Sequence, residues 1–211
     1  MHLVADTEAR GRPRLRSDDE ILVAALHAFA ANGFEGMSLR ALNTDLGLSN
    51  GTINQRFGSK QQLYIAAIDH GFATFRADIA AELERRGAPH DDLDELRELL
   101  RAFLVVAAGR PELGRLMNSE GLHASDRLAY FERTVLLPGF GPIDTLLTRL
   151  ESAGRINPTP TRLLFFLIAH GAEAPYTLTA LSDAFDQFDG PLDAMAHAEA
   201  VTDVIIRGIS R

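Results

Sequence analysis

Apolar residues recur at intervals of three and four along nearly the whole chain, and no stretch alternates with a period of two. The pattern therefore predicts an all-α protein. The first stripe, Ile21, Leu22, Ala25, Leu26 and Phe29, follows a Ser17/Glu20 capping box and ends at Asn32-Gly33. A short second stripe, Leu39, Leu42 and Leu46, runs into Gly47, which supplies a left-handed turn. Leu48 closes that turn, Ser49 is placed to cap the next helix, and Ile53 and Phe57 are its inward pair. Ser59 and Gln62 form another capping box, opening a long helix to about residue 86, where Gly87-Ala88-Pro89 stops it. Further helices are predicted over 91–108, 111–122, 125–137, 142–153, 161–181 and 191–209, with Gly109 and the run 154–158 as the clearest breaks.

Residues 33–60, GFEGMSLRALNTDLGLSNGTINQRFGSK, form two short helices joined by a glycine turn, the layout of a DNA-reading helix-turn-helix. Opposite Ile53 and Phe57 the second helix presents Gly51 and Gln55, flanked by Thr52 and Asn54, with Arg56 at the edge. None of these is acidic, as contact with phosphate requires. Lys60, in the first turn of the following helix, and Arg56 are assigned to phosphate. Gln55, Asn50 and Arg40 are better placed for base edges, with Ser38 and Ser49 completing the expected DNA-binding set.

From Ile21 to about Ala67 the chain resembles the DNA-binding domain of TetR-family transcriptional regulators: the capped first helix, the entry GFEGMSLRAL and the exit FGSKQQLY agree in order and spacing. The family pattern is not followed everywhere. Asn54 stands where tyrosine is common, Gln55 and Arg56 replace an aromatic and a histidine, and Asn43 replaces a small alanine for no reason visible in the sequence. The resemblance implies an N-terminal three-helix head over 17–65 and a helical ligand-binding and dimerisation domain over 66–211. It also implies a homodimer joined through the last two helices, a pseudo-palindromic double-stranded DNA operator and an unidentified small-molecule effector. Within the last helix, Ala198 and Val201 are expected in the subunit interface.

The formal net charge of −8 suits DNA poorly until it is divided along the chain. Residues 10–60 carry seven basic and five acidic side chains, whereas residues 61–211 carry 14 basic and 22 acidic ones. A near-neutral head thus sits on an acidic body. The stretch RGRPRLR resembles the family's basic arm, here residues 1–16, whose Arg12 and Arg14 are candidates for the minor groove; the competing reading is a solubilising tail. The chain has no cysteine, which removes disulfides and thiolate metal sites. Its longest apolar run, 163–169, is far short of a membrane span, so a cytoplasmic protein with no membrane partner is expected.

In the body, Phe103, Met117, Glu120, His123, His170, Glu173 and Tyr176 are candidates for a ligand pocket, since an apolar cavity needs a few convergent polar groups. Glu120/His123 and His170/Glu173 each share a helix face, but the second pair reverses the Glu-x-x-His order of di-iron bundles, and no metal or cofactor is assigned. No phosphate loop, nucleophile elbow or HExxH motif points to catalysis. The alternative class is a helical small-molecule binding or adaptor protein whose helix-turn-helix no longer reads DNA.

Overall fold

The computed structural model describes residues 16–211, and among these the backbone is helical throughout apart from turns and one isolated bridge between Ile156 and Ser210. The candidate residues Arg12 and Arg14 lie outside the described residues.

The head starts with α1 (Asp18–Gly36). Ser17 accepts from the Glu20 amide at 3.1 Å while the Glu20 carboxylate accepts from the Ser17 amide at 2.8 Å. Gly33, at φ 67°, breaks the regular helix, and a single further turn follows it. Next come α2 (Leu39–Asp45), capped by Ser38, and α3 (Thr52–Phe57). The long α4 (Lys60–Arg86) opens with the Ser59/Gln62 capping box and runs without interruption into the body, so the expected boundary at 65/66 falls inside a helix. Ile21, Ala25, Leu26 and Phe29 of α1 pack with Leu42, Ile53, Leu63, Tyr64 and Ala67 in one fully buried cluster. At Gly71 the absent side chain matters: a Cβ there would lie 2.7 Å from Leu26 and 3.2 Å from Leu113, so the glycine lets the head and the body close on α4 together.

The body contains α5 (Asp92–Ala108), α6 (Pro111–Glu120), α7 (Asp126–Phe131) and α8 (Leu137–Ser152). It continues with α9 (Thr161–Phe166), three single-turn helices α10 (Ala174–Thr177), α11 (Thr179–Asp183) and α12 (Asp186–Asp189), and α13 (Ala194–Ile209). Two sequence expectations fail here. No break separates 125–137 from 142–153; a π-helical turn, Glu132–Leu136, joins α7 directly to α8, and the widened turn carries the chain into Pro138, which has no N–H to donate. Conversely, the continuous helix expected over 161–181 is broken. A second π turn, Leu167–Ala172, is followed by Pro175 in the first turn of α10, and Leu178 leaves the helical region at φ −105°, ψ 53°.

Charged side chains also hold the body together. Arg101 of α5 is 4% exposed, donates to the buried Glu82 of α4 at 2.7 Å and pairs with Glu199 of α13, while Arg97 pairs with Asp203. Burial puts Ala198 in the wrong place for its expected role. It is wholly buried within its own subunit, with Thr202, Ile205, Ile206 and Ile209 on the same inward side, while Val201 is half-buried. The exposed large apolar residues of this region are instead Leu163, Phe166, Leu167, Leu178, Leu181, Phe185, Phe188, Leu192, Met195 and Val204.

Candidate nucleic-acid interface and internal cavity

A helix of six residues cannot hold its own position in water, so α3 must be fixed from outside. Its N-cap is Gly51, at φ 87°, which has no side chain to satisfy the first amides. Asn43 supplies that function from the neighbouring helix: its Oδ1 accepts from the Ile53 amide at 3.3 Å, its Nδ2 donates to the Leu39 carbonyl at 2.9 Å, and its own carbonyl accepts from Leu48 at 2.8 Å. A small alanine could make none of the side-chain bonds. The asparagine is a cap acting across the turn, and it explains a substitution that the sequence alone left open. Ser49 does not cap α3 as expected; its hydroxyl pairs with that of Thr52 at 2.7 Å and its carbonyl accepts the Thr52 amide.

With the inner side of α3 fixed by Ile53 and Asn43, Asn54 and Gln55 are exposed, and Ser38, Arg40, Ser49, Asn50 and Gly51 lie exposed on the adjoining surface. Arg40 has no ion-pair partner among the described residues. The other two expected cations are less free than the sequence implied. Arg56 donates to the Arg16 carbonyl at 2.6 Å and pairs with Asp18, because α1 begins with the acidic turn that its own dipole favours and that turn lies beside α3. Lys60 donates to the Glu35 carbonyl at 3.1 Å and lies 4.9 Å over the Phe34 ring. Both tie α3 and α4 back to α1.

The body encloses a cavity of about 340 Å³. Six phenylalanines from five helices stand in its wall: Phe72 and Phe75 of α4, Phe103 of α5, Phe131 of α7, Phe140 of α8 and Phe165 of α9. They meet edge to face, with Phe75 and Phe103 at 5.5 Å and Phe72 and Phe131 at 5.2 Å. The ionisable groups in the wall are Arg76, Arg110 and Glu173. Arg110 is committed to Asp78 at 2.6 and 2.8 Å. Glu173 is 3% exposed and has no hydrogen-bond or ion-pair partner among the described residues. Its carboxyl rests against Gly114, where a Cβ would be 2.0 Å from Oε1, and burial pushes its pKa up to about 7.

Of the seven pocket candidates, Phe103, Met117 and Glu173 line this cavity; Glu120, His123, His170 and Tyr176 do not. Glu120 accepts from Arg127 Nε at 3.1 Å on both oxygens, and that guanidinium lies 4.3 Å over Phe34. His123 is exposed in the turn after α6. His170 stacks on Phe166, and burial depresses its pKa. Tyr176 donates to the Ala194 carbonyl at 3.2 Å. Helical spacing could not say which faces meet, and α6 ends at Glu120, so His123 does not share a helix face with it as expected. The phenylalanines at 72, 75, 131, 140 and 165 are lining residues that the sequence did not single out.

Residues 21–67 match the family model described as bacterial regulatory proteins, tetR family. The HTH-type transcriptional repressor NicS of Pseudomonas putida is 31% identical over 117 residues, which cover 56% of this chain and 54%, about half, of that repressor. The HTH-type transcriptional repressor AcnR of Corynebacterium diphtheriae is 29% identical over 167 residues, 72% of this chain and 82% of its own length. In fold, the chain is similar to a TetR transcriptional regulator from Chloroflexus aurantiacus, with a TM-score of 0.67 at 20% identity over 92% of this chain and 96% of that one. It is also similar to the fatty acid degradation regulator FadR from Bacillus halodurans, with a TM-score of 0.64 at 20% identity over 91% and 99%. The match of the capped head to the family model and the repressors that share its sequence agree that residues 21–67 are a DNA-binding head like that of the tetR family of bacterial regulatory proteins, and the whole chain shares the all-α fold of solved regulators.

Proposed function

We propose that this DNA-binding regulator is a homodimeric repressor released from a pseudo-palindromic operator by a small molecule held in the body cavity. The observation that carries the reading is the outward face of α3, free of acidic residues and held by the Asn43 bridge. Asn54, Gln55, Asn50 and Arg40 supply hydrogen bonds for base edges, Ser38, Ser49, Gly51 and Thr52 lie close enough for backbone contact, and Arg56 and Lys60 add positive charge at its margins. Subunit association is supported by the apolar side chains left exposed between residues 163 and 204, which water would oppose in an isolated subunit. The last helix takes part through Met195 and Val204 rather than Ala198.

Two reading helices must lie about 34–36 Å apart to enter successive major grooves. The lever is α4, which begins at Lys60 beside the head and contributes Phe72, Phe75, Arg76 and Ile79 to the cavity wall. A ligand that favours one spacing weakens DNA by the factor by which DNA weakens ligand. No helix among the described residues is long and apolar enough to cross a membrane, in keeping with a regulator that meets DNA directly.

Selection of bound fragments from genomic DNA, followed by titration of the recovered site at several salt concentrations, tests the proposal. A two-fold symmetric site is expected, with Arg40→Ala and Gln55→Ala relaxing preference at individual positions at about 1–3 kcal/mol each. Failure to enrich any sequence would return the chain to the adaptor class. A monomer at micromolar concentration with intact DNA binding would overturn the dimer.

A further inference from the structure

The cavity contains a carboxyl group with nothing to pair with. Glu173 is buried beyond nine-tenths, lines the cavity and has no partner among the described residues, while the wall around it is almost wholly aromatic and aliphatic. An unpaired buried carboxylate opposes folding, so its presence calls for a group that the folded chain does not itself provide. Gly114 is what lets the carboxyl lie there, since any side chain at that position would collide with it.

We infer that the cavity takes an organic cation, a protonated amine on an apolar body of aromatic size, with its ammonium at Glu173. This rests on the reading of the cavity as the effector site and adds the ligand's chemical class. The geometry supplies both halves of such recognition. A carboxylate and an ammonium form a charge-assisted hydrogen bond strengthened by the dry surroundings. Phenylalanine rings present a negative face to a cation, and six of them surround the space. The rival is an apolar acid whose carboxylate meets Arg76. Arg76, however, is exposed on α4 and an acid would bring its charge toward Glu173, whereas Arg110 is already held by Asp78.

Ionisation of Glu173 gives the inference a pH signature. The charged groups in the wall are Arg76 and Arg110; Tyr176 is nearby, its phenol pushed up to about 12 by burial, then by Glu173 and Asp193, and so neutral over the working range. Burial raises the Glu173 carboxyl to about 7, so it gains its charge as the pH rises through neutrality while an alkylamine keeps its own. Affinity for the cation should therefore rise from about pH 6 to about pH 8.5, and affinity for a neutral ligand should not rise.

Direct binding of three isosteres, naphthylethylamine, propylnaphthalene and naphthylpropionate, to the full chain by calorimetry tests this. The amine should bind about tenfold or more tightly than the hydrocarbon at about pH 8.5, and the acid more weakly than either. Glu173→Gln should erase the amine's advantage and its pH dependence while still binding the hydrocarbon, a result that loss of folding would not give. Equal or stronger binding of the acid or hydrocarbon, or an amine preference that survives Glu173→Gln, would overturn the assignment. Operator release is scored separately: release by the acid alone would remove the cation and keep an effector cavity, whereas Glu173-dependent amine binding without release would keep the cation and remove the effector role.

Discussion

The head and the body meet the same problem, fixing helices too short or too irregular to stand alone, by opposite means. In the head, α2 and α3 have seven and six residues, and single side chains position them: Ser38 caps one, Asn43 caps the other from across the turn, and Ser17 and Ser59 fix the helices on either side. The caps there lie close in sequence or one turn away, Arg56 and Lys60 tie α3 and α4 back to α1, and the outer face of α3 is left clear. In the body the anchors span about a hundred residues, as in Arg101 with Glu199, and two π turns bend the backbone around a cavity that keeps one carboxyl unpaired. Local satisfaction gives a rigid reading surface. Long-range anchoring with an unsatisfied group leaves a space that a ligand can complete.

The largest expected effect tests whether long-range ion pairs carry the body. Replacing Arg101 by Met leaves the buried Glu82 with only the exposed Arg85 to pair with, a loss of up to about 3–5 kcal/mol, the cost of breaking a buried pair outright. Hydrogen bonding from Arg101, opposed by burial and aided by Arg85, holds the Glu82 carboxyl below its ordinary range. A depressed carboxyl contributes stability that is present above its unfolded pKa and lost as the pH falls through its folded one, so the variant should also flatten the acid limb of the stability profile. Urea denaturation at neutral and acidic pH provides the measurement. A loss below about 1 kcal/mol would mean that the pair is no more than an exposed ion pair in worth.

Glu173→Gln should act in the opposite direction. Its carboxyl is raised, so its contribution to stability is fully present below the unfolded value near 4.5 and is lost as the pH rises through about 7. The difference between those values corresponds to on the order of 3 kcal/mol. The variant should therefore be more stable than the parent at pH above about 8, with the gap closing below about pH 4.5. Thermal melts across that range decide it, and identical pH profiles would show that the carboxyl has found a partner in solution.

Legibility followed the same division. Capping boxes at Ser17 and Ser59, the turns at Gly33 and Gly47 and the inward pair Ile53/Phe57 lie within a few residues of what they control, so periodicity and punctuation revealed them. Asn43 was visible as a departure but not as a cap, because its acceptor bonds an amide ten residues away. In the body, Gly139 to Pro142 looked like a break and proved helical, while 161–181 looked continuous and proved broken. Both errors have one cause: a π turn is set by packing against neighbours, which no window of sequence contains. Ala198 shows the limit of an apolar stripe, which says that a face is buried but not by what.

A smaller effect is expected from Asn43→Ala. Loss of a cap and its partner bond costs about 1–2 kcal/mol, but the bond it removes orients α3. Operator affinity should fall by more than the stability loss alone accounts for, measured at a temperature where the variant is fully folded. If affinity is unchanged in the folded variant, α3 is held by Ile53 alone and the contrast between head and body weakens.

The smallest effect on stability belongs where the two regions meet. Arg127, on α7, lies 4.3 Å over Phe34 of the head and donates to the buried Glu120 at the end of α6, the helix whose Leu113 and Met117 line the cavity. On its opposite side in the network, Lys60 sits 4.9 Å from the same ring, at the start of the helix that follows the reading helix. Lysine at 127 keeps the charge beside Glu120 but loses the planar stack and the two-oxygen geometry, a loss of about 0.5–1 kcal/mol. Such a variant should fold and bind operator as the parent does. What should change is the factor by which ligand weakens DNA, because a flexible ammonium transmits a shift of α6 to Phe34 less faithfully than a stacked guanidinium. Operator titrations with and without saturating ligand measure that factor directly; an unaltered ratio in Arg127→Lys would mean that α4 carries the coupling without help from this contact.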